Sequence, residues 1–98
     1  MMKLWVDDVR PMPKGFNNHA KTYDEALSLL FTGKVKEVSL DHDLGEKDGK
    51  DGYGIAKFIW MMARNGGIPR LRWSIHSANP VGRRNMEEAL KKADECWP

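Results

Sequence analysis

The sequence predicts a single α/β domain, residues 1–98, built on a mostly parallel four-stranded sheet with about three helices that lie largely on one face. Three observations support this fold class. Short stretches with strand character alternate along the chain with amphipathic segments of helical periodicity, as in βαβ units. The 98 residues suffice for one core but not for two. No helical pattern follows the first strand, so one face of the sheet has no helix to cover it, and we expect either two layers or a partner there.

The first strand is predicted at Lys3 to Val6, where apolar and polar side chains alternate. It runs into Asp7 and Asp8, and then into the segment Val9 to Gly15, whose two prolines and glycine forbid regular structure. A second strand within Phe16 to Lys21 is only weakly indicated, because its asparagines are poor strand formers.

The first helix is predicted to start after Thr22, which stands three residues before Glu25 in the spacing of a capping box. Its apolar residues recur at helical intervals until Gly33, where the pattern stops. Val35 to Leu40 then has the composition of the third strand and leads directly into the stretch DHD.

The second half of the chain begins with Gly45 to Gly52, which is too polar and too rich in glycine for a strand or a helix. A second helix is predicted over Tyr53 to Ala63, and a last strand over Leu71 to Ile75. Two residues could cap the third helix. Asn79 precedes a proline that suits a first turn, whereas Asn85 has a glutamate three residues later, so the helix begins somewhere between them.

The composition excludes several classes of function. The formal net charge is +2 and no long basic run occurs, so the chain does not resemble a dedicated nucleic-acid binder, and we expect no sequence-specific DNA binding. The single cysteine excludes an internal disulfide. No segment reaches the roughly 18 apolar residues of a membrane span, and no signal peptide is evident. We therefore expect a cytoplasmic protein without a membrane partner.

Each clear strand is followed by polar, mostly titratable residues. They are Asp7 and Asp8 in the first case, Asp41, His42 and Asp43 in the second, and His76, Ser77 and Asn79 in the third. Because the carboxyl ends of parallel strands face one crevice, we expect these groups to converge. Crowded carboxylates repel one another, and a hard divalent cation bound through oxygen is the usual resolution. The predicted ligand is therefore a phosphoryl group beside Mg²⁺ or Mn²⁺, with donors from Ser77, Asn79 and the start of the last helix.

The motifs WVDDVR, LDHDLG with DGYGIAKFIW, and IHSAN resemble the acidic pair, the phosphoacceptor strand and the Ser/Thr-Ala strand of response-regulator receiver domains. The resemblance implies a reduced flavodoxin-like or receiver-like fold with strand order 2-1-3-4. It also implies a metal bound by Asp7, Asp8 and Asp41, with Asp41 at the phosphoacceptor position and Ser77 at the phosphate-sensing hydroxyl. The chain departs from receivers in lacking a helix after the first strand and a fifth strand with its lysine.

The additions His42, Asp43 and His76, together with HSANPVGRRNM, resemble a divergent branch, the cyclic-phosphate processing receiver-like domains. This resemblance implies a metal-dependent phosphoesterase acting on 2′,3′-cyclic phosphate ends or cyclic nucleotides, with an RNA end or a small phosphorylated molecule as its partner. In this hypothesis His76 and His42 transfer protons, since imidazole can do so near neutral pH. Asp43 orients a histidine or a water, Asp41 takes part in the chemistry, and Arg83 contacts the phosphate.

Other interpretations stay open. The chain could be a non-enzymatic, degenerate receiver that binds a protein or a nucleotide, and its bare sheet face could support a homo-oligomer. It could also be a receiver that accepts a phosphoryl group at Asp41. Side-chain alternation could turn His42 away from the crevice. His76 could be a satisfied histidine at a strand end, and Arg83 could belong to an ordinary basic patch.

Overall fold

The predicted alternation of strands and helices is confirmed in the computed structural model, which describes residues 1–98. The elements in chain order are β1 Met2–Val6, β2 Asn18–Ala20, α1 Tyr23–Phe31, β3 Val35–Leu40, α2 Gly52–Asn65, β4 Arg72–Ile75 and α3 Pro80–Cys96. None of the helices combines the length and the apolar character needed to cross a bilayer.

Capping residues explain where the helices begin and end. The Thr22 side chain accepts a hydrogen bond from the backbone of Glu25, as the capping-box spacing predicts. Helix α2 starts one residue earlier than predicted because Asp51 caps it, and it ends at Gly66, which adopts a left-handed conformation. Asn79 caps α3 by accepting from the backbone of Gly82, so the earlier of the two predicted starts is correct.

The four strands form one parallel sheet in the order β2-β1-β3-β4, as implied for a receiver-like fold. Val6 of β1 is paired with Leu40 of β3, and Leu40 is paired with Ile75 of β4. These three strands therefore end at the same level. The side chains that follow them along the chain begin together at one edge of the sheet.

The helices share one core with a single face of the sheet, which confirms the expectation that they lie largely on one face. Helix α2 lies between α1 and α3 and contacts both. From the sheet, the core takes alternate residues, namely Leu4, Val6, Val38, Leu40 and Ile75. These positions are the apolar phase of the alternation seen in the sequence.

The opposite face carries the other phase of the alternation, with Trp5, Ser39 and Ser74 at paired positions across three strands. The irregular segment between β1 and β2 covers part of this face. Within it, the Phe16 ring lies 5.4 Å from the Trp5 ring, centroid to centroid, and the Arg10 carbonyl accepts a hydrogen bond from the indole at 3.3 Å. Trp5 is consequently only 8% exposed although no helix packs there.

Candidate functional site

A cavity of about 440 Å³ opens at the carboxyl edge of the sheet, where β1, β3 and β4 end. This volume is in the usual range of small-molecule sites, roughly 300–1,000 Å³. Its wall contains four carboxylates and one guanidinium. The residues that line it are Asp7, Asp8, Val9, Arg10, Asp41, Asp43, Gly45, Ala78 and Asn79.

The sheet ladder continues one residue beyond the strands and places three site residues in one row. The backbone N–H groups of Asp7, Asp41 and His76 each donate to a carbonyl of the neighbouring strand, at 3.1, 3.0 and 3.0 Å. Because side chains alternate along an extended chain, this row lies on the helix-free face, in the same phase as Trp5 and Ser39. The predicted convergence of the strand ends is thus present for these three residues.

Asp7 is fully buried and is held by several donors. Its Oδ1 accepts hydrogen bonds from the backbone N–H groups of Val9 and Arg10 at 2.8 and 2.7 Å, and Oδ2 accepts from Nε2 of His76 at 3.0 Å. Burial opposes ionisation of Asp7, but these hydrogen bonds outweigh it and hold the pKa of Asp7 below its usual value. The carboxylate therefore stays charged inside the protein.

Asp41 lies beside Asp7 and responds in the opposite way. Burial, and next the negative charge of Asp7, raise the pKa of Asp41 above its usual value. Asp7, Asp8 and Asp41 each offer a carboxylate oxygen, and these oxygens lie within 4.8 Å of one another. Gly45 leaves room for this group, since a Cβ there would lie 3.1 Å from Oδ2 of Asp8. Crowded oxygen donors of this kind fit Mg²⁺ or Mn²⁺.

His76 is enclosed on three sides. Its ring is stacked on Trp5 at 3.7 Å between centroids with an interplanar angle of 8°. Nδ1 lies 2.8 Å from Oγ of Ser39, and Nε2 lies 3.0 Å from Oδ2 of Asp7. Burial lowers the pKa of His76 more than the hydrogen bond and charge of Asp7 raise it. From this network we assign a neutral ring in which Nε2–H donates to Asp7 while Nδ1 accepts from Ser39.

His42 does not line the cavity, as the alternation of side chains allows. Its ring packs on the first turn of α3, where a Cβ at Gly82 would overlap it. Nδ1 of His42 lies 3.0 Å from Oδ1 of Asp43, which does line the cavity. His42 thus reaches the site only through Asp43.

The three residues predicted to contact phosphate lie in different surroundings. Ser77 is buried, and its Oγ accepts a hydrogen bond from the backbone of Asn79 at 3.1 Å. Asn79 lines the cavity, with its Oδ1 used in capping α3. Arg83 does not line the cavity, because Nη1 donates to the Ile75 carbonyl at 3.0 Å and Nε pairs with Glu87 at 3.5 Å.

Two residues at the site were not identified from the sequence. Nη1 of Arg10 lies 3.5 Å from Oδ2 of Asp7 and 3.9 Å from Oδ1 of Asp41, and it donates to the His76 carbonyl at 3.0 Å. The available signal was its position in DDVR, directly after the acidic pair. Ser39 could have been found from strand phase, since it lies two residues before Asp41 on the same side of the strand.

Comparison with known proteins gives one match. A family model described as the cyclic-phosphate processing Receiver domain matches residues 2–92. No curated protein and no solved structure matches the chain. The matched range contains every residue that lines the cavity.

Proposed function

The chain belongs to the family of cyclic-phosphate processing receiver domains, and from this premise we propose that it is a metal-dependent phosphoesterase. Its proposed substrate is a cyclic phosphate, either a 2′,3′-cyclic end or a cyclic nucleotide. The observation that carries the proposal is the group of oxygens from Asp7, Asp8 and Asp41, which lie within 4.8 Å of one another at the edge of a parallel sheet.

The three carboxylates would hold Mg²⁺ or Mn²⁺, which when bound polarises the phosphoryl oxygens and offsets their charge. Asp7 is prepared for this role because its donors hold it ionised and in one orientation. Asp8, the residue after Asp7, and Asp41, at the end of the neighbouring strand β3, supply the other two carboxylates. The raised pKa of Asp41 reflects burial and then repulsion by Asp7, and a cation would relieve the repulsion.

Hydrolysis forms one P–O bond from water and breaks one ester P–O bond of the ring. One proton of the water passes to the departing oxygen, and the products are a phosphate monoester and a free hydroxyl group. Asp43 is the residue we propose to accept the proton, because its side chain is 72% exposed and lines the cavity while His42 holds it at 3.0 Å.

For His76 we propose a positioning role. The hypothesis from the sequence gave it proton transfer, but both ring nitrogens are hydrogen-bonded inside the protein, to Asp7 and Ser39. A ring in this arrangement orients a ligating carboxylate, as partners behind metal ligands commonly do.

A second candidate is a module that binds a phosphorylated ligand without turnover. One observation favours it, namely that no histidine is among the residues lining the cavity. Both candidates predict that the protein binds a phosphorylated ligand, but only the phosphoesterase predicts that the ligand is hydrolysed.

The test is ring opening, detected as the phosphate monoester that it forms, across 2′,3′-cyclic nucleotides, 3′,5′-cyclic nucleotides and cyclic dinucleotides, with Mg²⁺, Mn²⁺ or a chelator. We expect turnover that the chelator abolishes and that Asp41→Asn loses while its circular dichroism spectrum stays native. The matched control is Asp48→Asn, an exposed aspartate at φ 59, which asparagine tolerates. Metal binding without turnover of any substrate would reject the enzyme and favour the binding module.

A further inference from the structure

We propose that Arg10 is the residue that binds the phosphoryl group in this cavity. The inference rests on the proposed function only in assuming that a divalent cation and a phosphoryl group occupy the site together. It assigns a role to a residue in the irregular segment after β1, outside every helix and strand.

The negative charge of the cavity wall means that a phosphoryl group needs a positively charged side chain to bind there. Four aspartates line the cavity, and Arg10 is the only basic residue among its nine lining residues. A bound divalent cation would still leave these charges with a net negative value, so an anionic phosphate ester would be repelled overall. Direct donors on the phosphate are therefore needed, and guanidinium is the group best suited to phosphate oxygens.

The backbone of Arg10 is fixed at the end of β1. Its N–H donates to Oδ1 of Asp7 at 2.7 Å, and its carbonyl accepts from the Trp5 indole at 3.3 Å. The side chain is anchored at one nitrogen, since Nη1 donates to the His76 carbonyl at 3.0 Å. Both ends of the residue are thereby positioned without help from a ligand.

The remaining donors of the guanidinium have no protein partner. Nη1 donates all the hydrogen bonds that this side chain makes, so the N–H groups of Nε and Nη2 are free to donate to a ligand. The side chain is 48% exposed. Its contacts with Asp7 and Asp41, at 3.5 and 3.9 Å, are longer than the roughly 2.7–2.9 Å of a strong charged hydrogen bond. Arg10 is therefore available for two parallel bonds to a phosphoryl group.

A simpler role would be that Arg10 only neutralises the carboxylates, and the two roles predict different binding. A guanidinium among metal ligands repels the metal, so removing it should leave cation affinity unchanged or higher. If Arg10 also binds phosphate, the same change must lower phosphate affinity. Opposite changes in the two affinities are the signature of the proposed role.

The experiment measures Mn²⁺ affinity from the electron paramagnetic resonance signal of the free ion. It also measures affinity for inorganic phosphate and for adenosine 3′-monophosphate, a monoester that the proposed reaction does not hydrolyse, by calorimetry at saturating Mn²⁺. We expect Arg10→Ala to bind Mn²⁺ at least as tightly as the unchanged protein, and to bind both phosphate probes about 10- to 100-fold more weakly. Arg10→Lys should be intermediate, because lysine keeps the charge but loses the bidentate geometry. The matched control, Arg84→Ala, removes an exposed arginine outside the cavity and should change neither affinity.

Three results would overturn the proposal. They are unchanged phosphate affinity in Arg10→Ala, a parallel loss of Mn²⁺ and phosphate affinity, and no phosphate binding by the unchanged protein. If Arg10→Ala does not fold, Arg10→Lys decides, since full phosphate affinity in a folded lysine variant contradicts a bidentate role. Opposite shifts in a protein that hydrolyses no ester would uphold Arg10 and reject only the phosphoesterase.

Discussion

Replacing His76 with glutamine separates a positioning role from a proton-transfer role. A glutamine amide can occupy the place of Nε2–H and donate to Asp7, whose bond to the ring measures 3.0 Å. The variant loses the 2.8 Å bond to Ser39 and the stack on Trp5. It also loses any ability to carry a proton near neutral pH.

The cost to stability follows from the two lost contacts. A neutral hydrogen bond contributes about 0.5–1.5 kcal/mol, and an aromatic pair contributes about as much again. We therefore expect His76→Gln to lower the free energy of unfolding by about 1–3 kcal/mol. For a chain of this size, that loss corresponds to a fall in Tm of about 5–20 °C.

The effect on function should be smaller for glutamine than for leucine. Loss of a partner behind a metal ligand typically costs about 10- to 100-fold in metal affinity, so we expect this loss in His76→Leu and its recovery in His76→Gln. The assays are Mn²⁺ binding, thermal unfolding and turnover of the best cyclic substrate. A glutamine variant that binds Mn²⁺ normally but loses about 10²- to 10⁴-fold in turnover would refute the reasoning, because general acid–base catalysis accounts for a factor of that size.

Three further predictions concern the same edge of the sheet. Asp43→Asn should lower turnover by about 10²- to 10⁴-fold while Mn²⁺ affinity changes little, since Asp43 is outside the metal group; equal losses of both would contradict its role. Gly82→Ala should lower the free energy of unfolding, measured by thermal unfolding, by about 1–3 kcal/mol, because the added Cβ meets the His42 ring. The control is Gly67→Ala, whose Cβ meets the flexible end of a methionine side chain. Burial lowers the pKa of His76 below the 6.5 of the unfolded chain. The unfolded state thus binds a proton first, and the free energy of unfolding of the metal-free protein, measured in urea, should fall below about pH 6.5. The free energy of unfolding of His76→Gln should fall less over the same pH range. Identical pH curves for the variant and the unchanged protein would exclude this linkage.

Most of the fold could be predicted because local patterns and the fold agree. Thr22 with Glu25 marks the start of α1, and Gly66 ends α2 in the left-handed conformation that glycine favours. The alternation of Val38 and Leu40 with polar neighbours identified the core face of β3. The start of α3 could not be decided from the sequence, since Asn79 and Asn85 were both possible caps. The structure has the earlier cap, Asn79, and the first turn that follows it packs on the ring of His42.

The site was harder to predict because its contacts come from distant parts of the chain. The convergence of Asp7 and Asp41 followed from strand order, which periodicity indicates. The contact of Trp5 with His76 joins residues that are far apart in the sequence, and no local pattern records it. Arg10 lies in a segment without periodicity, so its position depends on the hydrogen bonds at the end of β1. Strand phase did indicate which way His42 points.

The bond from Arg83 to the Ile75 carbonyl bears on how this sheet stays separate from others. Strand β4 lies at one edge of the sheet, beside β3, and an open edge is a template on which a strand of another molecule can add. The guanidinium occupies the carbonyl of the last residue of β4, and the strand is only four residues long. A second chain would have to displace a charged side chain to pair there. Arg83 therefore makes strand addition at this end of β4 less favourable.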